Sequence, residues 1–247
     1  MLNEMISLLS SGKKPLFIIL ACILTIQVSN SQWVYTNGPY GATVQALISK
    51  SGNMFAATQG GGVYITTNNG LNWTASNSGL SATNIYSRAG LGNNLFAGAY
   101  GGCFISTNNG ANWTAVNSGL TASDVHALAV SGTNLFAGTY SGVFLSTNNG
   151  SSWNAINNGL TTTIVQSIAV LGANIFAGTF GGGVFLSTNN GANWAQVNNG
   201  LGSMYISTLL VSGTDLFAGG GGAFFSSDNG TSWTTINNGL TNINVIS

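Results

Sequence analysis

"LSTNNGSSW", Leu145 to Trp153, is one of five near-copies of a single nine-residue phrase, and its recurrence decides the architecture. The others are "ITTNNGLNW" ending at Trp73, "ISTNNGANW" at Trp113, "LSTNNGANW" at Trp194 and "FSSDNGTSW" at Trp233. With Trp33, the six tryptophans follow one another at a nearly constant spacing of about 40 residues, a period that marks a repeat array rather than one or two ordinary domains. Outward from the phrase, the unit from Val125 to Leu160 breaks into short apolar runs separated by "SGTN", "TYSG" and "TNNG". Runs of this length bounded by Gly, Asn and Ser read as strands joined by tight turns. The expected strands are Val125 to Val130, Leu135 to Thr139, Val143 to Thr147 and Ser152 to Asn157. No segment sustains a helical period. Four antiparallel strands per repeat predict an all-β chain folded as a β-propeller, one blade per repeat. WD repeats share this length, but their Gly-His and Trp-Asp signatures are absent.

The N-terminal segment differs in kind. Lys13 and Lys14 precede the apolar run "PLFIILACILTIQV", and Ser29 and Ser31 supply the small residues of a cleavage site, so residues 1–31 read as a signal peptide with cleavage before Gln32. The run is short for a membrane span, and lipidation at Cys22 would strand "ILTIQV" on the mature chain. A secreted or cell-surface location is the expectation, without membrane insertion after cleavage.

In the remaining 32–247 segment the charged side chains are Lys50, Arg88, Asp124, Asp215 and Asp228, two positive against three negative. Without a basic stripe, nucleic acid and anionic membrane surfaces are poor partners. Periodic Phe, Leu, Val and Trp supply a core that disordered chains lack. Cys103 has no intramolecular partner in this segment and aligns with Val63, Val143, Val184 and Ala223, which predicts a small buried apolar residue.

The phrase resembles the Asp-box, or BNR repeat, of sialidase-like propellers, whose pattern is S-x-D-x-G-x-x-W. The matching positions are Thr66, Asn68, Gly70 and Trp73; Ser106, Asn108, Gly110 and Trp113; Ser146, Asn148, Gly150 and Trp153; Ser187, Asn189, Gly191 and Trp194; Ser226, Asp228, Gly230 and Trp233. The acidic position is Asn in four units. The resemblance implies a structural role, a hairpin between third and fourth strands whose turn amides are held by a side-chain oxygen while Trp wedges between sheets. The chain is also similar to secreted bacterial repeat proteins that continue into a type IX sorting domain.

"QWVYTNG" around Trp33 aligns with a fourth strand and "NVIS" with the start of a first strand, so the reading is five complete blades with partial end strands, a fragment of a propeller of six or more blades. Sialidase chemistry, as the resemblance implies it, needs three arginines and a Tyr and Glu pair, whereas the mature segment holds only Arg88 and no Glu. Xyloglucan hydrolases with similar repeats need paired carboxylates, yet Asp215 and Asp228 are expected on one face and Asp124 on the other. A photosystem assembly factor with similar repeats has a basic patch without counterpart here. Arg88 aligns with Leu128, Ile168 and Leu209 and is either a channel-lining residue or a tolerated substitution. Asp124 and His126 lack a third metal ligand, and no cofactor is implied.

The leading expectation is therefore a non-catalytic interaction scaffold, with a carbohydrate-active enzyme completed by other segments as the alternative. A glycan or protein ligand is expected on the face opposite the repeated hairpins. Tyr100, Tyr140 and Phe180 sit in the turns between second and third strands, and Tyr86, Asp124, His126 and Tyr205 at the starts of inner strands. Aromatic rings beside a few polar groups suit sugars.

Overall fold

The computed structural model describes Gly38, Pro39 and residues 42–245. The expected signal peptide, Cys22 and the strand around Trp33 lie outside the described residues. Twenty strands form five four-stranded antiparallel sheets, each in simple chain order from first to last. The first holds β1 (Thr43–Lys50), β2 (Asn53–Gln59), β3 (Gly62–Thr66) and β4 (Thr74–Ala75), the second β5 (Ile85–Leu91), β6 (Asn94–Ala99), β7 (Gly102–Ser106) and β8 (Thr114–Ala115). The third holds β9 (Val125–Ser131), β10 (Asn134–Thr139), β11 (Gly142–Ser146) and β12 (Asn154–Ala155). The fourth holds β13 (Val165–Leu171), β14 (Asn174–Thr179), β15 (Gly183–Ser187) and β16 (Ala195–Gln196), the fifth β17 (Ile206–Ser212), β18 (Asp215–Gly220), β19 (Gly222–Ser226) and β20 (Thr234–Thr235). These are propeller blades, with first strands innermost and neighbouring around one cavity.

The core lies between blades rather than within them. Leu135 and Ala137 of β10 pack with Phe96 and Cys103 of the second blade, while Phe136 of the same strand packs with Ile175 and Phe185 of the fourth. Alternation along one strand therefore serves two interfaces, and the middle strands read as continuous apolar runs because both faces are covered. Seven phenylalanines, Phe96, Phe104, Phe136, Phe144, Phe176, Phe185 and Phe224, are fully buried this way. Gly138 leaves a socket: a Cβ there would meet Val165 Cγ1 at 2.7 Å, so the next blade's first residue fills the space that a side chain would occupy. Cys103 is fully buried and its thiol is pushed up out of the reactive range by burial.

The repeated phrase forms the hairpin between third and fourth strands. Ser146 Oγ accepts from the Gly150 amide at 2.8 Å and donates to Asn148 Oδ1 at 2.9 Å, and Asn148 Oδ1 accepts from the Ser152 amide at 2.9 Å. Asn149 and Gly150 both adopt positive φ, 58° and 80°. In the fifth blade Asp228 replaces the amide: its Oδ1 accepts from Ser226 and from the Ser232 amide, and Ser232 Oγ now donates to Oδ2 at 2.6 Å. In the third blade the equivalent hydroxyl, Ser152 Oγ, accepts from Asn148 Nδ2. A hydroxyl can reverse its role, so Asn and Asp serve the same turn.

The fourth strand is shorter than expected, Asn154–Ala155 against Ser152 to Asn157. Its ladder stops because Asn157 offers its side chain in place of its backbone: Oδ1 accepts from Val143 N at 2.7 Å and Nδ2 donates to Ser141 O. Asn157 opens a second repeated phrase, "NNGL" to Leu160, with counterparts starting at Asn77, Asn117, Asn198 and Asn237. It is as periodic as the first and was open to the same reading. Its turn joins blades: the Trp153 amide donates to Ser118 O and the indole Nε1 to Val116 O, both at 2.8 Å and both in the preceding blade. Gly119 carries φ of 79°, and a Cβ there would collide with the Trp153 carbonyl oxygen. Trp113, Trp194 and Trp233 repeat the arrangement.

On the fifth blade, the face that its counterparts bury carries exposed Leu210 and Ile236 and partly covered Phe217 and Phe225. An isolated antiparallel bridge joins Gly221 to Asn244 there, and Val245 N donates to Gly220 O.

Chemical denaturation of single variants checks this hierarchy. Trp153→Ala should lose about 3–5 kcal/mol, since it removes a buried aromatic and strands the Val116 carbonyl. Gly119→Ala should lose about 1–3 kcal/mol from strain, and Asn148→Ala about 1–2 kcal/mol from lost turn acceptors. Equal midpoints for the tryptophan and asparagine variants would contradict the wedge.

Candidate functional site

Each inner strand carries one β-bulge at the same place. In β9 the register passes from Thr139 opposite Val125 to Gly138 opposite Ala127, leaving His126 as the extra residue. The same step leaves Gln45, Tyr86, Gln166 and Ser207 extra in β1, β5, β13 and β17. A bulge bends its strand and re-aims one side chain. All five extra residues line a single cavity of about 640 Å³, together with Thr43, Ser87, Arg88, Ser167 and Thr208 among others. This is the central channel, walled by all five inner strands.

Of the seven candidates from the sequence, Tyr86 and His126 line this cavity directly. Tyr140 joins them: its ring stacks on His126 at 4.2 Å and 23°, and His126 stacks on Tyr86 at 4.7 Å and 18°. The result is a three-ring column spanning the second and third blades. Asp124 stands one residue before β9 and pairs through its backbone with Tyr100, whose side chain is exposed. Tyr86 feels them both, as burial first, then Asp124, Tyr140 and Tyr100 raise its pKa. Phe180 and Tyr205 form a separate edge-to-face pair at 4.6 Å on the fourth and fifth blades. The candidates thus fall into a column cluster and a distinct pair, outside the cavity lining except for Tyr86 and His126.

His126 and Asp124 do not satisfy one another. His126 Nε2 and Asp124 Oδ1 are both buried without a hydrogen-bond partner. Burial lowers the imidazole pKa below 6.5, against an upward pull from Asp124, so the ring is neutral at pH 7. No group of three or more His, Cys, Asp or Glu stands together among the described residues. Of Asp124 and His126, the latter lines the cavity, where a ligand could pair with its lone nitrogen.

The sequence reading passed over Gln45, Gln166 and Ser207. Their signal was present: between Val or Ile on one side and Ala, Ser or Thr on the other, this repeat position runs Gln, Tyr, His, Gln, Ser. Arg88 lines the channel and also the narrow pocket between the first two blades, beside Ile48, Phe55 and Leu95, where a leucine or isoleucine stands in later blades.

Stability should follow the imidazole. Because the folded-state pKa is depressed, the contribution is fully present above the unfolded value of 6.5 and is lost as pH falls through it toward the lowered folded value. Urea midpoints of the wild type should therefore drop between neutral pH and mildly acidic pH, with a flatter profile for His126→Gln. Parallel profiles would show that the ring is not desolvated in the column.

No family model matches the chain, and no curated protein matches it. Among solved structures, an ancestral GH74 enzyme is similar at a TM-score of 0.66 and 22% identity, over 83% of this chain and 32% of that one. An extracellular domain from B. thetaiotaomicron, ascribed to a one-component system, is similar at 0.70 and 15%, over 83% and 29%. YCF48 bound to D1 peptide is similar at 0.57 and 16%, over 78% and 67%. The chain thus spans about a third of the first two proteins. At these identities the likeness establishes the fold, and the described residues form a five-bladed stretch of β-propeller.

Proposed function

We propose that this chain is a non-catalytic, secreted or cell-surface propeller of the Asp-box type that binds a glycan at the channel mouth. The observation that carries the reading is the Tyr86–His126–Tyr140 column beside a cavity lined by amides and hydroxyls. Aromatic faces cover the apolar face of a pyranose, while Gln45, Gln166, Ser207 and Thr208 offer both donors and acceptors to its hydroxyls. Tyr140 keeps 48% of its surface in solvent, available to a ring that extends out of the channel.

Carboxylate placement favours binding over cleavage. Glycoside hydrolysis requires two carboxylates about 5–10 Å apart. Asp124 belongs to the mouth, whereas Asp215 opens the second strand of its blade and Asp228 sits in the hairpin at the opposite end. The alternative, a carbohydrate-active enzyme completed by further chain, draws support from the likeness to a GH74 enzyme. The same likeness includes a protein described with a bound peptide, which makes a peptide ligand the natural control.

A glycan array followed by calorimetric titration tests the reading. The wild type should bind an oligosaccharide, and the Tyr86→Ala, Tyr140→Ala pair should weaken it by at least about tenfold, the loss expected from removing two stacking surfaces. Unchanged binding would relocate the site. Shortened sugar products in the same mixture would favour the enzyme.

A further inference from the structure

We infer that Arg88 forms an anion subsite in the channel and that the sugar bound there carries a carboxylate, as a hexuronate does. This rests on the glycan reading above and specifies its substrate class.

The argument begins with register. Arg88 pairs with Ala97 as Leu128 pairs with Ala137, Ile168 with Ala177 and Leu209 with Ala218. Those three apolar side chains pack into the junction with the preceding blade. Arg88 puts its hydrocarbon stem into the same niche, beside Ile48, Phe55 and Leu95, and also lines the channel. A long cationic side chain commonly buries its stem and directs its head toward polar surroundings. Here the burial goes further than the stem, because Nε is itself buried and makes no hydrogen bond.

No carboxylate among the described residues offsets this burial. Desolvation alone draws the guanidinium down to about 10, which still leaves it charged at neutral pH. Asp215 and Asp228 lie at the far ends of their sheets, and Asp124 exerts its pull on Tyr86 and His126. Lys50, the other described cation, is already engaged with the carbonyls of Gly92 and Asn94. A half-buried cation without a partner is costly, and a leucine there would avoid the cost, as the later blades show. An anion entering the channel would recover it through charge-assisted hydrogen bonds to a planar fork that suits carboxylates. Arg88 also lies two residues along β5 from Tyr86, about 6–7 Å, so one sugar on the aromatic column brings its substituent or its neighbour to the guanidinium.

The experiment is calorimetric titration of the full chain with a neutral hexose tetrasaccharide and with its C6-oxidised hexuronate counterpart. The hexuronate should bind at least about tenfold more tightly, as one charge-assisted pair implies. That advantage should shrink as salt rises from about 20 mM to about 300 mM. Arg88→Leu restores the residue type of the later blades, so its denaturation midpoint should match or exceed the wild type. It should lose the preference for the hexuronate. Arg88→Lys should keep part of it. Equal affinity of wild type for both sugars, or a preference that survives in Arg88→Leu, overturns the subsite while leaving the glycan reading intact. Binding of neither sugar overturns both. A short peptide with a free C-terminus binding in place of the hexuronate, with its amidated form inert, overturns the sugar assignment.

Discussion

The structure depends on one interaction between blades: from the second blade onward, the tryptophan of each hairpin reaches into the blade before it. Trp153 donates from its indole to Val116 O and from its backbone to Ser118 O, and the intervening turn fits only because Gly119 has no side chain. A four-stranded sheet of this size cannot bury its own apolar faces, so its stability comes from neighbours, in the manner of a one-dimensional array. Trp73, in the first blade, is correspondingly less covered than Trp113, Trp153, Trp194 and Trp233. The Ser, Asn and Gly positions of the hairpin serve this contact by fixing the turn from which the indole projects.

These contacts use the same residue types in blade after blade, and the sequence varies most visibly away from them. The bulge on each inner strand is such a place. It removes one residue from the ladder and directs it into the channel, so Gln45, Tyr86, His126, Gln166 and Ser207 differ between a preceding Val or Ile and a following Ala, Ser or Thr. A uniform scaffold thereby presents a non-uniform ring. The aromatic column forms where bulges carrying Tyr86 and His126 fall in adjacent blades and the turn of the third blade supplies Tyr140.

Charge is scarce throughout, which raises the weight of each charged group. Lys50 and Asp228 are absorbed by backbone carbonyls and by a hairpin. Arg88 and Asp124 are not absorbed, and both belong to the blades that build the column. Arg88 lines the cavity beside the stacked rings, at a position where packing alone would favour the leucine or isoleucine of the later blades.

The fold was open to reading because its determinants are local and repeated. A constant period, four apolar runs in each repeat, Gly at the turns and Trp after the hairpin specify blades without knowledge of any distant contact. The partners of those residues were less accessible: the short fourth strand reflects Asn157 bonding across to Val143, and the second repeated phrase acquires its meaning only from the Trp of the next blade. Of the candidate residues, Tyr86 and His126 were expected at the starts of inner strands, and there they line the channel. Which of them touch was decided in three dimensions, since the bulge geometry brings residues a full repeat apart into a stack and leaves Phe180 and Tyr205 as a pair of their own. The sequence by itself determined the blades, because backbone turns and strand periodicity are properties of neighbouring residues. Only the tertiary structure decided the site, because packing one blade on the next sets which side chains meet across the channel.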